Sequence, residues 1–455
     1  MGPSFELLRK YNVPVPRYTS YPTVPYWNDQ LEPADWQAIF KRDFNTQEQT
    51  AGIALYIHLP FCEKLCTYCG CNKKITTNHS VEAEYISAIH NEWNIYRSWM
   101  GHTPVIRELH LGGGTPTFFS PENLEKLLAP IFETSSIGSN HEFSFEGHPN
   151  NTTREHLETL YRLGFRRVSF GVQDTNAEVQ RIINRVQPFR NVVRVTDEAR
   201  SIGYESVNFD LIYGLPRQTQ ATITDTITQV ISLKPDRVAF YSYAHVPWTS
   251  RGQRLFDEND LPSNNEKLSL YHTGRKLFNE HGYEDIGMDH FALPHDELCV
   301  AMKTGKLHRN FMGYTTSNTD ILVGLGVSAI SSVPDAYAQN EKTIHDYYRC
   351  VNNNEPAVKK GYVLTHEDRR FARYIKDISC FGSTDFDRQD QHLIEGYCLP
   401  LLEGMQADGL VHANATGIHV TAKGRNFIRN ICSAFDLHMI RSQAGKQTRI
   451  FSKAI

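Results

Sequence analysis

From residue 53 to residue 243 the chain alternates between short apolar runs and longer segments whose apolar residues recur at helical spacing. The short runs are rich in β-branched and aromatic residues, as strands are. Strands separated by helical segments predict parallel pairing through right-handed crossovers, and six such units form a partial (β/α)6 barrel with the helices outside. The predicted strands are residues 53–59, 106–112, 142–147, 166–172, 206–214 and 237–243.

The segments on either side of this repeat have a different character. Residues 11–27 are rich in Tyr and Pro, which disfavours a regular helix or a central strand and predicts an ordered arm lying on the barrel. Residues 409–431 follow the order strand, turn, strand, helix, as in a small winged-helix unit. We therefore predict an α/β protein in three parts: an N-terminal arm (1–48), a barrel domain with an extension (49–340) and a mainly helical, winged-helix-like C-terminal domain (341–455).

Composition narrows the possible functions. The chain has 455 residues and a formal net charge of -4, and no basic stripe dominates the winged-helix-like segment, so we do not expect a nucleic-acid partner. No apolar run is long enough to span a membrane and the first residues lack the apolar core of a secretory signal, so we expect a cytoplasmic protein. Five of the nine cysteines are widely scattered, which favours reduced thiols and a metal site over a disulfide framework.

The cysteine spacing is the most specific chemical signal. Cys62, Cys66 and Cys69 stand in the pattern C-x3-C-x2-C directly after the first predicted strand. Complete cysteine ligation of a 4Fe-4S cluster takes four thiolates, so three leave one iron open to a small molecule. The alternative is a structural zinc site with Cys71 as the fourth ligand. Cys71 lies only two residues beyond Cys69, which favours a thiol beside the cluster or a catalytic donor.

A glycine run ends the second predicted strand. The sequence LGGGTPT spans residues 111–117, and its three glycines let backbone groups approach a ligand closely. Pro116 then fixes the direction in which the chain leaves. Taken alone, this run is more typical of a tight turn between a strand and a helix than of a ligand site.

Together these motifs identify a family resemblance. The cysteine pattern with an aromatic before its third cysteine, followed by GGGTP on a six-unit βα chain, resembles the radical S-adenosylmethionine enzymes, and among them the oxygen-independent coproporphyrinogen III oxidases. The resemblance extends over nearly the whole chain. Matching blocks include PRYTSYPT at 16–23, PFCEKLCTYCGCNK at 60–73, LHLGGGTPT at 109–117, NFDLIYGLPRQT at 208–219, LHRNFMGYTT at 307–316 and VTAKGRNFIRNI at 420–431.

The resemblance implies a 4Fe-4S cluster and two S-adenosylmethionine molecules bound side by side. The implied cluster ligands are Cys62, Cys66 and Cys69. For the molecule on the cluster, the matching residues are Tyr56, Gly113, Glu146 and Ile330. For the second molecule, they are Tyr68, Gly114, Thr115, Gln173, Arg185, Asp210 and Ala244. These residue types suit the task, since carboxylates accept hydrogen bonds from hydroxyls or amines and arginine binds carboxylates.

The implied reaction converts two propionates of coproporphyrinogen III into vinyl groups and yields protoporphyrinogen IX, in haem biosynthesis. A 5'-deoxyadenosyl radical removes a hydrogen atom from an unactivated carbon, which no general base can deprotonate. The candidate catalytic residues are Tyr56, His58 and Cys71, although a buried histidine that only packs fits His58 equally well. We also expect a protein electron donor such as a flavodoxin or ferredoxin, and a monomer.

The sequence departs from well-known members of the family at three places. Gly147-His148 replaces Val-Asp after Glu146, Met312 replaces Gln, and Leu293 replaces Arg. The last two remove polar groups from where the substrate is expected. The alternatives that stay open are a related radical haem chaperone or other porphyrin-directed radical enzyme, and a zinc-dependent binding protein.

Overall fold

The computed structural model describes residues 5–48, 51–248, 250–444, 451 and 454. The first four residues of the predicted arm, the predicted boundary at residue 49 and most of the end of the predicted C-terminal domain lie outside the described residues. The division into three domains stays a prediction.

The arm begins and ends in helices. Helix α1 (Phe5–Tyr11) and helix α2 (Pro33–Thr46) flank the Tyr- and Pro-rich stretch, which holds only a short 3-10 turn at Val24–Tyr26 and a cis Tyr21–Pro22 bond. The two helices were not predicted. The irregular stretch between them is nevertheless ordered by packing, since Trp27 stacks on Tyr337 with ring centroids 5.2 Å apart.

Every strand predicted from the hydrophobic pattern is present, with ends shifted by a few residues. Six barrel strands alternate with amphipathic helices, and two short strands belong to the cysteine loop. The strands are β1 (Ile53–Leu59), β2 (Phe61–Cys62), β3 (Lys74–Ile75), β4 (Val105–Gly113), β5 (Ser136–Gly147), β6 (Arg167–Gln173), β7 (Ser206–Tyr213) and β8 (Arg237–Ser242). The helices are α3 (Val81–Trp99), α4 (Pro121–Glu133), α5 (Arg154–Arg162), α6 (Ala177–Ile182), α7 (Phe189–Ile202) and α8 (Gln220–Ser232).

The helices of the repeat start at side-chain caps. Ser120 Oγ accepts from the backbone N–H of Asn123 at the start of α4, and Thr153 and Thr219 form capping boxes at α5 and α8. Such caps satisfy backbone donors that have no partner within the helix. The apolar faces of these helices then cover the outside of the sheet, where β1 is buried along nearly its whole length.

The extension adds strands to both edges of the sheet. Its elements are α9 (Asn264–Glu280), β9 (Glu284–Gly287), β10 (His290–Ala292), α10 (Glu297–Thr304), β11 (His308–Asn310), β12 (Gly313–Thr315), β13 (Leu322–Leu325), β14 (Ile330–Val333), β15 (Ala336–Asn340), α11 (Ile344–Asn352) and β16 (Val358–Val363). The resulting twelve-stranded sheet has the order β16-β15-β14-β13-β1-β4-β5-β6-β7-β8-β10-β9. Because β16 begins after residue 340, the sheet continues past the predicted end of the barrel domain.

Strand β13 is a seventh parallel strand, which pairs with β1 although it follows β1 by more than 250 residues. The strands outside the parallel set pair antiparallel. An open parallel sheet with helices on its outer face confirms the predicted α/β fold of the radical S-adenosylmethionine type.

The C-terminal part is mainly helical and has a small sheet of its own. Its elements are α12 (His366–Phe381), β17 (Ser383–Asp385), α13 (Gln391–Leu393), a π-helical turn (Ile394–Cys398), α14 (Leu399–Ala407), β18 (Val411–Ala413), β19 (Gly417–Val420), α15 (Ile428–Ser433) and α16 (Leu437–Ala444). The predicted order of strand, turn, strand and helix is thus present between residues 411 and 433. Buried Arg429 donates to the backbone carbonyls of Val15 and Pro16, which ties this part to the arm.

Among the described helices, none combines the length and the apolar character needed to cross a bilayer.

Candidate active site

The cysteine loop and the ends of five barrel strands, β4 to β8, surround one large cavity of about 730 Å³. In parallel α/β barrels the loops at the carboxyl ends of the strands converge, so these ends are where a site is expected. Most residues predicted for the site line this cavity. They are Cys62, Cys66, Tyr68, Cys69, Cys71, Gly113, Gly114, Thr115, Glu146, Gln173, Arg185 and Asp210.

The cysteine loop is anchored to the barrel on both sides. The backbone N–H groups of Gly114 and Thr115 donate to the carbonyls of Leu59 and Phe61, at 2.8 and 3.0 Å. A Cβ on Gly114 would lie 2.5 Å from the Pro60 carbonyl oxygen. The glycine run therefore brings the end of β4 against the root of the loop, which a larger residue would prevent.

Each of the three motif cysteines has a distinct polar neighbour. The Cys62 thiol lies 3.4 Å from the Thr115 hydroxyl, and burial raises the pKa of this thiol to about 11. The guanidinium of Arg185 donates to Cys66 Sγ at 3.6 Å. A hydrogen bond from Cys71 lowers the pKa of Cys69, and the same contact raises the pKa of Cys71 well above its ordinary value.

Lys73 supplies positive charge beside the loop. Its ammonium donates to the backbone carbonyls of Cys69 and Cys71, at 2.9 and 3.3 Å. This charge favours the thiolate forms of Cys62 and Cys69. Thiolate is the form that ligates metal, so Lys73 and Arg185 suit a loop that holds a cluster.

Among the residues that the structure describes, no group of three or more His, Cys, Asp or Glu side chains surrounds one ion position. The thiolates of a 4Fe-4S cluster bind different irons, so a cluster does not require them to converge on one position.

Glu146 is the principal acid at the cavity floor. Its Oε2 accepts from the Gly113 backbone N–H at 3.3 Å, and its Oε1 lies 3.6 Å from His110 Nε2. Burial by itself raises the pKa of Glu146, but His110 and the Gly113 N–H hold it below its ordinary value. The side chain is still 45% exposed, because it faces the cavity. A carboxylate in this state accepts hydrogen bonds from a bound cation or amine.

His110 was not among the predicted site residues. Its Nδ1 lies 2.8 Å from Ser144 Oγ, and its ring stacks on Tyr56 with centroids 6.0 Å apart. The sequence did contain a signal for His110. Side chains alternate between the two faces of a strand, so His110 lies on the same face of β4 as Gly112 of the glycine run.

On the opposite wall, Asp210 and Arg185 lie within the same cavity. Asp210 accepts from Ser169 Oγ at 2.9 Å and from Asn208 Nδ2 at 3.0 Å, while burial and the nearby Glu146 raise its pKa to about 6. Arg185 donates to the Gly171 carbonyl at 2.6 Å, and its buried Nε has no hydrogen-bond partner. An unpaired buried donor indicates that a ligand completes this site.

Four predicted residues do not line the cavity, namely Tyr56, His58, Ala244 and Ile330. His58 uses both ring nitrogens, since Nε2 lies 2.9 Å from the Asn72 carbonyl and Nδ1 lies 3.0 Å from the Tyr56 hydroxyl. A Cβ on Gly113 would lie 2.7 Å from the His58 ring, so this ring supports the strand end. Ala244 accepts a hydrogen bond from Gln253, and Ile330 lies in β14.

Of the three departures from the family pattern, only the Gly147-His148 pair lines the cavity. His148 Nδ1 accepts from the Asn150 backbone N–H at 3.1 Å. Burial, together with Arg185, lowers the pKa of His148 well below its ordinary value, so the ring is neutral. Met312 lies in the turn between β11 and β12, and Leu293 packs against the core.

The residues present fit a 4Fe-4S cluster and S-adenosylmethionine. Three thiols of one loop, a carboxylate at the floor and an arginine with a free donor face one cavity, whose size lies within the usual range for ligand sites.

Comparison with known proteins gives the class first. A model of the radical SAM superfamily matches residues 56–230, from β1 through the cysteine loop to α8. The fold and the site together define a radical SAM protein.

Curated relatives then give the family. The chain is 40% identical over 456 residues to the oxygen-independent coproporphyrinogen III oxidase of Escherichia coli, covering 99% of this chain and 98% of the relative. It is 37% identical over 462 residues to the enzyme of that name from Synechocystis, with the same coverage. The solved structure of the Escherichia coli coproporphyrinogen III oxidase superposes with a TM-score of 0.88 and 37% identity, over 96% of this chain and 99% of that one. The chain belongs to the oxygen-independent coproporphyrinogen III oxidase family.

Proposed function

We propose that this chain carries out the oxygen-independent oxidative decarboxylation of two propionates of coproporphyrinogen III to vinyl groups, giving protoporphyrinogen IX for haem synthesis. One observation carries the proposal: three motif cysteines, Glu146 and Arg185 face a single cavity in a chain that matches this family from end to end.

Cys62, Cys66 and Cys69 would hold a 4Fe-4S cluster at the cavity mouth. With S-adenosylmethionine bound, the cluster supplies one-electron chemistry that removes a hydrogen atom from an unactivated carbon. The chain contributes the surroundings. Lys73 and Arg185 stabilise negative charge on the thiolates.

Glu146 and Gly113 would bind the first S-adenosylmethionine, with Tyr56 and Ile330 beside them. The Glu146 carboxylate is suited to accept hydrogen bonds from the amine of the nucleotide's methionine portion. Its position is fixed by the Gly113 N–H and by His110, so the acceptor is already oriented when the ligand arrives.

A second S-adenosylmethionine would occupy the other side of the cavity. Arg185 offers a free donor to a carboxylate, and Asp210 offers an acceptor to ribose hydroxyls. The remaining contacts in this proposal are Tyr68, Gly114, Thr115, Gln173 and Ala244. Equilibrium dialysis with labelled nucleotide on cluster-loaded protein is expected to give two molecules per chain.

The contacts separate the three candidate catalytic residues into two roles. Tyr56 stacks on His110 beneath Glu146, and His58 holds the Tyr56 hydroxyl. Cys71 is exposed in the cavity and acts on Cys69 as a hydrogen-bond donor. We therefore propose that Tyr56 and His58 position the acid, and that Cys71 tunes the thiolate of Cys69.

An anaerobic assay tests the function. Cluster-loaded protein, reductant, S-adenosylmethionine and coproporphyrinogen III are expected to give protoporphyrinogen and 5'-deoxyadenosine. Cys66→Ala should lose bound iron and sulfide and reduce both products to background, whereas Cys350→Ala, on α11, should retain them. Deoxyadenosine without protoporphyrinogen would support a related haem chaperone or another porphyrin-directed radical enzyme and contradict the oxidase.

The proposal also covers the cellular location, the oligomeric state and the electron donor. We expect a cytoplasmic monomer that receives electrons from a protein donor such as a flavodoxin or ferredoxin.

A further inference from the structure

One corner of the cavity is lined by hydrogen-bond donors. Arg185 donates to the Gly171 carbonyl and to Cys66 Sγ, and its buried Nε has no partner. Lys64 and His148 line the same cavity. A buried donor without a partner costs free energy until a ligand satisfies it, so this corner suits a group that accepts hydrogen bonds.

The loops that carry His148 and Arg185 are bonded to each other. Asn150 Nδ2 donates to the carbonyl of Val186, the residue after Arg185, at 3.0 Å. The carbonyl of His148 accepts from the backbone N–H of fully buried Thr152 at 2.9 Å. A turn therefore holds the His148 backbone, and a direct hydrogen bond fixes this turn relative to the arginine.

The contacts of the His148 ring decide where its proton lies. Nδ1 accepts from the backbone N–H of Asn150 at 3.1 Å, so this nitrogen carries a lone pair. Burial and the positive charges of Arg185 and Lys64 hold the pKa of the ring well below its ordinary value, so the ring is neutral. A neutral imidazole with a lone pair on Nδ1 carries its proton on Nε2. Within the described part of the chain Nε2 has no partner, so the ring offers this N–H to the cavity.

The acids of the cavity do not use these donors. Three acids line it, Glu63, Glu146 and Asp210. Each of the three has a polar partner of its own, namely His79, His110 and Ser169 in that order. The donors at the corner are therefore left for a ligand, and the neighbouring positive charges favour an anionic one.

We propose that His148 binds the second S-adenosylmethionine, its Nε2–H donating to the carboxylate that Arg185 holds. This inference rests on the proposed function, which places the second nucleotide against Arg185 and Asp210. The family pattern has Asp at this position, and an ionised aspartate only accepts hydrogen bonds. The contact therefore distinguishes this chain from members that follow the pattern.

Two substitutions separate the two ring nitrogens of His148. His148→Asn keeps an acceptor near the position of Nδ1 and removes the donor at Nε2, whereas His148→Gln keeps a donor near Nε2 and removes the acceptor. Loss of one hydrogen bond to a charged group should raise the Kd for the second nucleotide roughly 10- to 100-fold in His148→Asn. In His148→Gln this Kd should stay within about threefold. Equilibrium dialysis of cluster-loaded protein with labelled nucleotide measures both.

Decarboxylated S-adenosylmethionine tests which part of the ligand His148 contacts. This probe lacks the carboxylate, so its Kd at the second site should agree within about threefold between His148→Asn and the unaltered protein. The EPR spectrum of the reduced cluster reports the nucleotide on the open iron. The change that S-adenosylmethionine causes in this spectrum should need the same concentration in the unaltered protein and in both variants.

His345→Asn is the matched control, because this histidine on α11 is 89% exposed, and it should leave every Kd unchanged. An unchanged second-site Kd in His148→Asn would overturn the inference, as would an equal loss with the decarboxylated probe. A larger loss in His148→Gln than in His148→Asn would overturn it too, since the ring would then serve only its own turn. Binding of a single nucleotide by the unaltered protein would instead overturn the second site itself, and the inference with it.

Discussion

The two ends of the barrel interior carry the same kinds of side chain and use them differently. At the carboxyl ends of the strands, Glu146, Asp210 and Arg185 face a cavity. At the amino ends, Arg237 donates to Asp296 at 2.8 Å, with only 7% and 2% of the two side chains exposed. Acids and arginines thus lie at both ends, and at the carboxyl ends Glu146 and the unpaired Nε of Arg185 remain available to a ligand.

The hairpin of β11 and β12 accounts for much of this difference. Thr315 and Thr316 donate to Glu142, which also pairs with Arg167, and Asn310 donates to Glu108. The hairpin therefore closes the barrel interior at the amino ends of the strands. No described segment closes the opposite end in this way, where the loops after the strands spread around the cavity. Charged side chains therefore stabilise the fold at the amino ends of the strands and remain available for binding at the carboxyl ends.

The largest expected effect breaks the closed end. Asp296→Asn keeps the size of the side chain but leaves the buried Arg237 with Glu142, 3.9 Å away, as its remaining charged partner. We expect a loss of about 3 kcal/mol in the free energy of unfolding, measured by urea titration. Activity per folded molecule should change little. Asp197→Asn, on the exposed side of α7, should change stability by less than about 0.5 kcal/mol. Equal effects of the two variants would show that the closed end contributes no special stability.

A matched pair of substitutions sharpens the comparison. Glu146→Gln removes the charge at the open end, and Glu108→Gln removes the charge at the closed end. A hydrogen bond to a charged group contributes about 1.5–3 kcal/mol, so Glu146→Gln should weaken S-adenosylmethionine binding roughly 10- to 100-fold. Glu108→Gln should leave this Kd within about threefold. Calorimetric titration of cluster-loaded protein measures both, and comparable losses would contradict the assignment of the two ends.

The smallest expected effect is a pH dependence at the closed end. Burial raises the pKa of Glu108 from its ordinary 4.5 to about 7. Between pH 4.5 and about 7 the folded chain keeps the Glu108 proton, whereas the unfolded chain has released it. The contribution of protonated Glu108 to stability is therefore complete below pH 4.5 and is lost as the pH rises through 7. The slope is at most about 1.4 kcal/mol per pH unit. The free energy of unfolding of Glu108→Gln, measured across this pH range, should lack this part of the decline. Parallel curves of unfolding free energy against pH for the two proteins would refute the prediction.

Much of the fold was predictable because local patterns agree with the final structure. The six strands, the ordered arm and the small C-terminal sheet follow from hydrophobic alternation and from Tyr- and Pro-rich composition. The two arm helices were missed, since α1 and α2 lie beside a segment whose prolines dominated the interpretation. Strand β16 was missed because three of its six residues, VKKGYV, are not hydrophobic, and it is an edge strand.

The candidate site was predictable where a motif is continuous in sequence. The cysteine pattern and the glycine run each lie in one loop, and the resemblance located Glu146, Arg185 and Asp210 around the same cavity. His110 has no motif of its own, so only its contacts with Glu146 and Tyr56 reveal it. His58 was ambiguous in sequence, and its two hydrogen bonds favour a positioning role.

By itself, the sequence determined the class of chemistry and the order of the elements, because thiol spacing, glycine runs and hydrophobic periodicity are local properties. The tertiary structure decided which polar side chains remain available. Strand β13 joins β1 across more than 250 residues, and the β11–β12 hairpin closes one end of the barrel. Whether a buried acid is satisfied by its own chain depends on such distant contacts, which no short stretch of sequence encodes.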